Sequence, residues 1–251
     1  MSDLALETDG LTMEFKGFRA VSDVALKVAR GSIHALIGPN GAGKTTCFNL
    51  LTKFLTPTAG SIRFNGRDIT RTKPADVARL GLVRSFQISA VFPHLTVKEN
   101  VRIALQRHRR GDSFDFWRSQ SVLNALDSEA LELVEAVGLS SFAETIASEL
   151  SYGRKRALEI ATTLALSPEM LLLDEPMAGM GREDVERTEA LIRRVSEGRT
   201  ILMVEHNLSV VASLSNRITV LARGRILAEG DYATVSRDPQ VIEAYIGAGH
   251  A

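Results

Sequence analysis

Residues 38–46 read Gly-Pro-Asn-Gly-Ala-Gly-Lys-Thr-Thr. The run fits the pattern Gly-x-x-x-x-Gly-Lys-Ser/Thr, with Gly38, Gly43, Lys44 and Thr45 at the fixed positions. Each residue type has a physical task there. Glycines let the main chain turn so that consecutive N–H groups face one anion. Lys44 places a point charge near the β- and γ-phosphates of a nucleotide, and the Thr45 hydroxyl is a ligand for Mg²⁺. The helix that such a loop opens adds the positive end of its dipole. On this reading Gly38, Pro39, Asn40, Gly41, Ala42, Gly43, Lys44, Thr45 and Thr46 form the phosphate cradle.

The flanks supply the required setting. Ser32-Ile33-His34-Ala35-Leu36-Ile37 is a short apolar run that ends at Gly38, and Thr45-Thr46-Cys47-Phe48-Asn49-Leu50-Leu51 has helical apolar spacing. Strand, glycine loop and helix in that order separate this run from a glycine-rich surface turn. A second segment, Met170-Leu171-Leu172-Leu173-Asp174-Glu175, reads as a strand buried on both faces with two acids at its carboxyl end. Ligands of open α/β sheets sit at that end. Asp174 is then a Mg²⁺ ligand, directly or through water, and Glu175 is placed to polarise an attacking water as a general base.

Between these motifs lies Leu150-Ser151-Tyr152-Gly153-Arg154-Lys155-Arg156, and after them comes His206 at the end of Ile201-Leu202-Met203-Val204-Glu205-His206. The order of phosphate loop, lone Gln87, Leu-Ser-Tyr-Gly, Leu-Leu-Leu-Asp-Glu and His206 resembles the ATP-binding subunit of an ABC transporter. The resemblance covers nearly the whole chain. It implies an α/β P-loop NTPase fold of the ABC ATPase type, with an antiparallel β subdomain and a helical subdomain. It also implies roles. Phe15 is similar to the aromatic residue that stacks on adenine, although a core aromatic is the alternative reading of that ring. Gln87 resembles the glutamine that touches Mg²⁺ or water and senses the γ-phosphate. Ser151, Tyr152 and Gly153 resemble the signature that closes on ATP held by the opposite subunit. Gly179-Met180-Gly181 occupies the loop that communicates across the dimer, and His206 resembles the switch histidine that contacts the γ-phosphate. The catalytic set is therefore Glu175, His206, Lys44 and Gln87, and the metal set is Thr45, Gln87 and Asp174, with ATP and Mg²⁺ as the bound species.

Three stretches are similar to the branched-chain amino acid and amide uptake systems: the signature followed by Ala157-Leu158-Glu159-Ile160-Ala161, the run Asp174 to Gly181, and the closing Asp238 to Gly247. The long segment between Gln87 and the signature resembles the larger of the two ATPase types in such systems. The chain departs from the family pattern at Arg154, where a glutamine is usual, at Thr162 in place of arginine, and at Asn207 in place of aspartate. Arg154 adds charge beside the signature and Asn207 removes one beside the switch histidine.

The chain has 251 residues with 30 basic and 30 acidic side chains, a balance that carries no nucleic-acid footprint. No run approaches the roughly 18 apolar residues of a membrane span. Met1-Ser2-Asp3-Leu4-Ala5-Leu6-Glu7 does not read as a signal peptide, and the single cysteine, Cys47, excludes an internal disulfide. The other four histidines, His34, His94, His108 and His250, have no metal-ligand spacing.

The organisation expected is one domain over 1–251. Residues 1–87 and 166–216 form an α/β core with the β subdomain, 88–165 a helical subdomain with the signature, and 217–251 a C-terminal hairpin and helices. Strands are expected at Leu4 to Glu7 and Ala25 to Ala29. Thr96-Val97-Lys98-Glu99 is a capping box for a helix to about Arg110, broken by Gly111-Asp112-Ser113. Further helices are expected over 129–137, stopping at Gly138, and over 154–166. A hairpin turns at Arg223-Gly224, and Asp231 caps a short helix before a last one at 238–247. Arg107-His108-Arg109-Arg110 reads as a solvated face, with lipid headgroup contact the alternative, and Phe114, Phe116 and Trp117 as local packing, with an exposed docking patch the alternative.

The reading these features support is the ATP-hydrolysing subunit of an importer, peripheral on the cytoplasmic face of the cell membrane. The resemblance implies two membrane permease subunits, a second ATPase subunit (the same or a different polypeptide) and, indirectly, a periplasmic binding protein. A soluble ABC ATPase without a membrane partner and a lipid or lipopolysaccharide exporter motor are the alternatives.

Overall fold

The computed structural model describes residues 3–85, 91–108 and 120–247. Gln87, the Gly111-Asp112-Ser113 break and the Phe114–Trp117 aromatics lie outside the described residues. The chain divides into two compact units, one built from Met1–Val83, Glu169–Met177 and Arg193–Ala251, the other from Arg84–Pro168 and Ala178–Ile192.

The first unit holds two sheets. One is antiparallel, with β1 (Leu4–Phe15) between β2 (Phe18–Val24) and β5 (Ala59–Phe64), β6 (Arg67–Asp68) beyond β5, and β3 (Lys27–Ala29) also on β1. The other has the order β11 (Arg225–Gly230), β10 (Arg217–Ala222), β4 (Ile33–Ile37), β9 (Thr200–Val204), β8 (Met170–Asp174), β7 (Leu82–Arg84). Its pairs β10–β4, β4–β9 and β8–β9 are parallel, and β11 returns antiparallel along β10. Every residue of β4, β8 and β9 is buried. That is why their sequences read as near-continuous apolar runs, broken by His34 and by Thr200 and Asp174 at strand ends, instead of alternating.

Helix α1 (Lys44–Leu51) follows β4 after the glycine loop. At eight residues it is too short to persist alone and depends on packing. Phe48, Leu50 and Leu51 pack in one core with Leu6, Leu11 and Ile62 of the antiparallel sheet and Leu172, Leu202 and Val204 of the parallel one. Cys47 is fully buried beside them, and burial pushes its thiol up to about 12, so it is a packing residue. Around the sheets lie α2 (Pro74–Arg79), α7 (Leu208–Leu214), α8 (Tyr232–Val235) and α9 (Pro239–Gly247). Asp231 accepts the Thr234 N–H at 2.8 Å, which makes it the cap of α8.

The second unit is helical, with α3 (Val97–His108), α4 (Gln120–Ala136), α5 (Tyr152–Leu164) and the start of α6 (Arg182–Val195). The capping box forms as the spacing predicts. Thr96 N–H donates to Glu99 Oε2 at 2.8 Å, and Glu99 N–H donates to Thr96 Oγ1 at 3.2 Å. Helix α4 begins nine residues before the 129 expected, with Asp127 and Ser128 inside it. These cap-type residues sit on the outer face, where Asp127 accepts from Arg102 at 3.0 Å, while Leu126, Ala130 and Val134 carry the buried face through them. Helix α5 begins at Tyr152, inside the signature, and continues to Leu164, with Ser151 in the extended geometry of its N-cap position.

One polar side chain sits deep in the first unit. His34, in the middle of the phosphate-loop strand, is fully buried. Its Nε2 lies 2.8 Å from Thr219 Oγ1, which itself donates to Glu229 Oε1 at 2.9 Å. That chain of donors assigns the proton to Nε2. Among the described residues Nδ1 has no partner. Burial, with Glu229 opposing it and Arg217 adding to it, lowers the His34 pKa to about 4. The unfolded chain therefore binds a proton that the folded chain refuses, and stability falls as pH drops from about 6.5 toward 4. Linkage puts the loss at about 3 kcal/mol for this group. Urea unfolding across that range should show the slope, and the His34→Gln variant should lack it.

Candidate active site

Three of the parallel strands deliver the predicted residues to one edge of the sheet. β4 ends at Gly38, β8 at Asp174-Glu175 and β9 at Glu205-His206, with Asp174 in register opposite Val204. β4 and β8 both flank β9, so the glycine loop and the acidic pair meet across its end.

The loop between β4 and α1 is held by close main-chain approach. Gly38 has φ 151°, and a Cβ built there would lie 2.1 Å from the Leu221 carbonyl oxygen. Gly43, the cap of α1 at φ 101°, would place a Cβ 2.5 Å from the Ala20 carbonyl oxygen. No side chain fits at either position. The Arg223-Gly224 turn is tied to the same loop, since Gly224 N–H donates to Ala42 O at 3.0 Å. The Gly38 main chain also hydrogen-bonds the Tyr245 hydroxyl of α9, whose phenol burial pushes up. The C-terminal hairpin and helix thus hold the loop at two residues.

Lys44 is buried, and its Nζ donates to the Gly38 and Pro39 carbonyls at 2.7 and 3.0 Å. Burial lowers its ammonium below the usual range, and the nearby Glu175 and Asp174 oppose that shift. Asn40, Gly41 and Thr45 are exposed, and Thr46 is half-buried. The first amides of α1 have no intrahelical partner and face the loop. Asp174 is buried at the strand end. Together with the Thr45 hydroxyl it offers hard oxygen donors of the kind Mg²⁺ takes, so these residues fit that ion.

Glu175 has φ 46°, a left-handed conformation costly for a residue with a side chain. Its N–H donates to Val204 O at 2.9 Å, and its Oε1 lies 2.8 Å from His206 Nε2. The two side chains are both partly exposed. Sequence reading named each separately, and the structure makes them a pair. It also reveals a residue that the reading passed over. Glu205 is 3% exposed, and its carboxylate accepts three main-chain N–H groups: Met177 on Oε1 at 2.9 Å, and His206 and Asn207 on Oε2 at 2.8 and 3.1 Å. The only sequence signal for it was an acid inside an apolar strand.

Phe15 is exposed at the end of β1, which sets aside the core reading of its ring. Phe18 is paired directly opposite it across the hairpin and is more exposed still, at 68%. Directly opposed residues project from the same face. Two residues beyond Phe18, Ala20 meets Gly43 of the loop, which brings this aromatic pair to the neighbourhood of the phosphate cradle.

The signature residues are described within the helical unit. Ser151 occupies the N-cap position of α5 without a side-chain hydrogen bond to the helix and is exposed, as is Tyr152. Gly153 packs under the Asp184 carboxylate, which a Cβ would meet at 2.7 Å, and a Cβ added to Gly179, which is left-handed at φ 74°, would lie 3.8 Å from the Tyr152 hydroxyl. The three departures from the family pattern all have local partners. Arg154 stacks on Phe142 at 4.0 Å from the ring centroid, and Thr162 Oγ1 donates to Glu159 O at 2.9 Å. Asn207 Oδ1 accepts the Ser209 and Val210 N–H groups and so caps α7.

Comparison with known proteins agrees with this geometry. The ABC transporter family model matches residues 21–178. A second model, for branched-chain amino acid ATP-binding cassette transporters, matches 225–251. The high-affinity branched-chain amino acid transport ATP-binding protein BraF of Pseudomonas aeruginosa is 39% identical, over 98% of this chain and 99% of its own. LivG of Escherichia coli (strain K12), described in the same words, is 40% identical over 98% and 99%. A crystal structure of the ADP conformation of MJ1267, an ATP-binding cassette of an ABC transporter, superposes with a TM-score of 0.85 at 30% identity, covering 97% of this chain and 99% of that one.

The close approaches around the loop give a ranking of substitutions. Gly38→Ala forces the loop away from Leu221 and should cost about 3 kcal/mol. At Gly41 nothing lies within 4 Å of a built Cβ. Gly41→Ala should therefore cost only the left-handed penalty, about 1 kcal/mol. Urea unfolding of the two variants side by side measures the difference.

Proposed function

This chain belongs to the ABC transporter ATP-binding family, and we propose that it is the ATP-hydrolysing subunit of an importer for branched-chain amino acids or related amides. The observation that carries hydrolysis is the Glu175–His206 pair, 2.8 Å apart, at the same sheet edge as Lys44 and Asp174. The likeness to BraF and LivG, and the branched-chain family match over 225–251, favour uptake over export.

The residues divide the work as follows. The Gly38–Thr46 loop directs main-chain N–H groups at the β- and γ-phosphates, and Lys44 exchanges its loop carbonyls for phosphate oxygens. Phe15 stacks on the adenine ring. Thr45, Asp174 and Gln87 would hold Mg²⁺, which would supply positive charge to offset that developing on the phosphate oxygens. Glu175 accepts a proton from the attacking water as its oxygen bonds to the γ-phosphorus and the bond to ADP breaks. His206 both orients Glu175 and donates to the γ-phosphate. Ser151, Tyr152 and Gly153 close on a nucleotide held by a second ATPase subunit, so two chains together make two complete sites. Closure of that dimer moves two membrane permease subunits supplied by a binding protein. Among the described residues no helix is long and apolar enough to cross a membrane. On this proposal the chain attaches to the cytoplasmic face of the membrane through those partners.

Glu175→Gln removes the proton acceptor and leaves the phosphate loop intact. Steady-state ATP turnover should fall at least about 100-fold while ATP binding is retained. Equal turnover in the two proteins would contradict the assignment of Glu175. Mass spectrometry of a mild-detergent pull-down tests the partners. Two polytopic subunits and a second ATPase are expected, and recovery with ribosomal proteins instead would contradict the importer.

A further inference from the structure

The carboxylate at the end of β9 has no place in the roles above. Glu205 is buried and spends both oxygens on main-chain N–H groups outside the phosphate loop. Those groups belong to two different loops. Met177 follows Glu175 by two residues on the β8 side. His206 and Asn207 follow Glu205 itself on the β9 side. Oε1 takes the first loop and Oε2 takes the second, so one carboxylate sets the spacing between them. A buried charge of this kind persists only where several donors converge on it. The start of α7 directly after Asn207 adds the positive end of a short helix.

We propose that Glu205 is a positioning residue for hydrolysis: it staples the loop carrying Glu175 to the loop carrying His206 and so holds those two side chains in contact. The proposal rests on the hydrolytic reading of Glu175 and His206. The geometry supports it from both ends. The Glu175–His206 contact is made by partly exposed side chains, and Glu175 stands on a left-handed residue that does not hold that conformation for free. Two other ties also cross between the loops at this point, the Glu175 N–H to Val204 O bond and the side-chain contact itself. The strand register ends at Asp174 and Val204. Beyond it, Glu205 continues the connection in place of a sheet ladder.

The acid is specific to the task. A glutamine keeps the length but presents N–H₂ where one of the loops presents N–H, so one side must detach. An aspartate keeps the charge and still reaches the amides that follow it in the chain, as aspartate does in tight turns. It is one methylene too short to reach Met177. Glu205→Asp thus cuts the staple on the β8 side alone and conserves the fold best.

The test compares the full chain with Glu205→Asp, His206→Ala and the double variant, measuring ATP turnover and binding of a fluorescent ATP analogue. The expected result is a kcat about tenfold lower for Glu205→Asp with the dissociation constant within about twofold. In the His206→Ala background the same substitution should change kcat by less than about twofold, because the contact it positions is already gone. Glu205→Gln should show the same pattern, which keeps the test open if either variant folds poorly. An equal fall in both backgrounds, unchanged turnover in Glu205→Asp, or a matching loss of nucleotide affinity would each overturn the proposal. Absence of turnover in the unmodified chain would instead overturn the hydrolytic reading, and this one with it.

Discussion

The structure depends on burying a short helix whose first turn must stay open to an anion. Helix α1 places Phe48, Leu50 and Leu51 in a core drawn from both sheets, yet Lys44 and Thr45 at its start are polar and one of them is exposed. Packing alone would favour sealing that end. It is kept open by main chain, since the carbonyls of Leu221 and Ala20 come so near Gly38 and Gly43 that no side chain fits between. The loop is therefore shaped by the backbone of β10 and β2 and not by its own side chains. Sheet order follows from the same need. With β9 between β4 and β8, the loop, the acids and the histidine share one edge without any strand crossing another.

Much of this was legible in the chain because it is local. Strand, glycine loop and helix lie within about twenty residues, and each imposes its own residue types. The capping box at Thr96–Glu99 and the Asp231 cap formed as their spacing predicts for the same reason. What was missed is relational. Glu205 reads as an interruption of an apolar strand until the Met177 N–H is seen on its oxygen, twenty-eight residues away. Phe18 gains meaning only opposite Phe15. Helix α6 escaped notice because its surface is dominated by charge, with Arg182–Glu186 and Arg187–Glu183 pairs one turn apart, so its apolar stripe is thin. Helix α7 is seven residues long and is signalled mainly by Asn207, a residue whose side-chain carbonyl serves a cap as well as the usual aspartate does.

The departures from the family pattern show why charge bookkeeping from sequence misleads. Arg154 adds a cation beside the signature, but its guanidinium sits over the Phe142 ring. Asn207 lacks a charge beside His206, but its oxygen is occupied by two helix amides. In both cases the side chain has a local partner, and the partner decides what the substitution does.

The same logic separates the three carboxylates at the ends of β8 and β9. All three are acids on adjacent strands within a few residues of one another, and chemistry cannot be assigned from type. Environment assigns it. Asp174 is buried at the last position of the ladder, with its neighbour strand still paired beside it. Glu175 is turned out by a left-handed residue, partly exposed, and meets an imidazole. Glu205 is buried and saturated with amides. A buried carboxylate whose oxygens are both taken by main-chain amides has no oxygen turned to solvent water. One that is partly exposed and meets a histidine does, as a general base requires. On the proposed mechanism the acid that does chemistry is thus the one the fold holds in a strained conformation, and the other is the one that holds its loop in place.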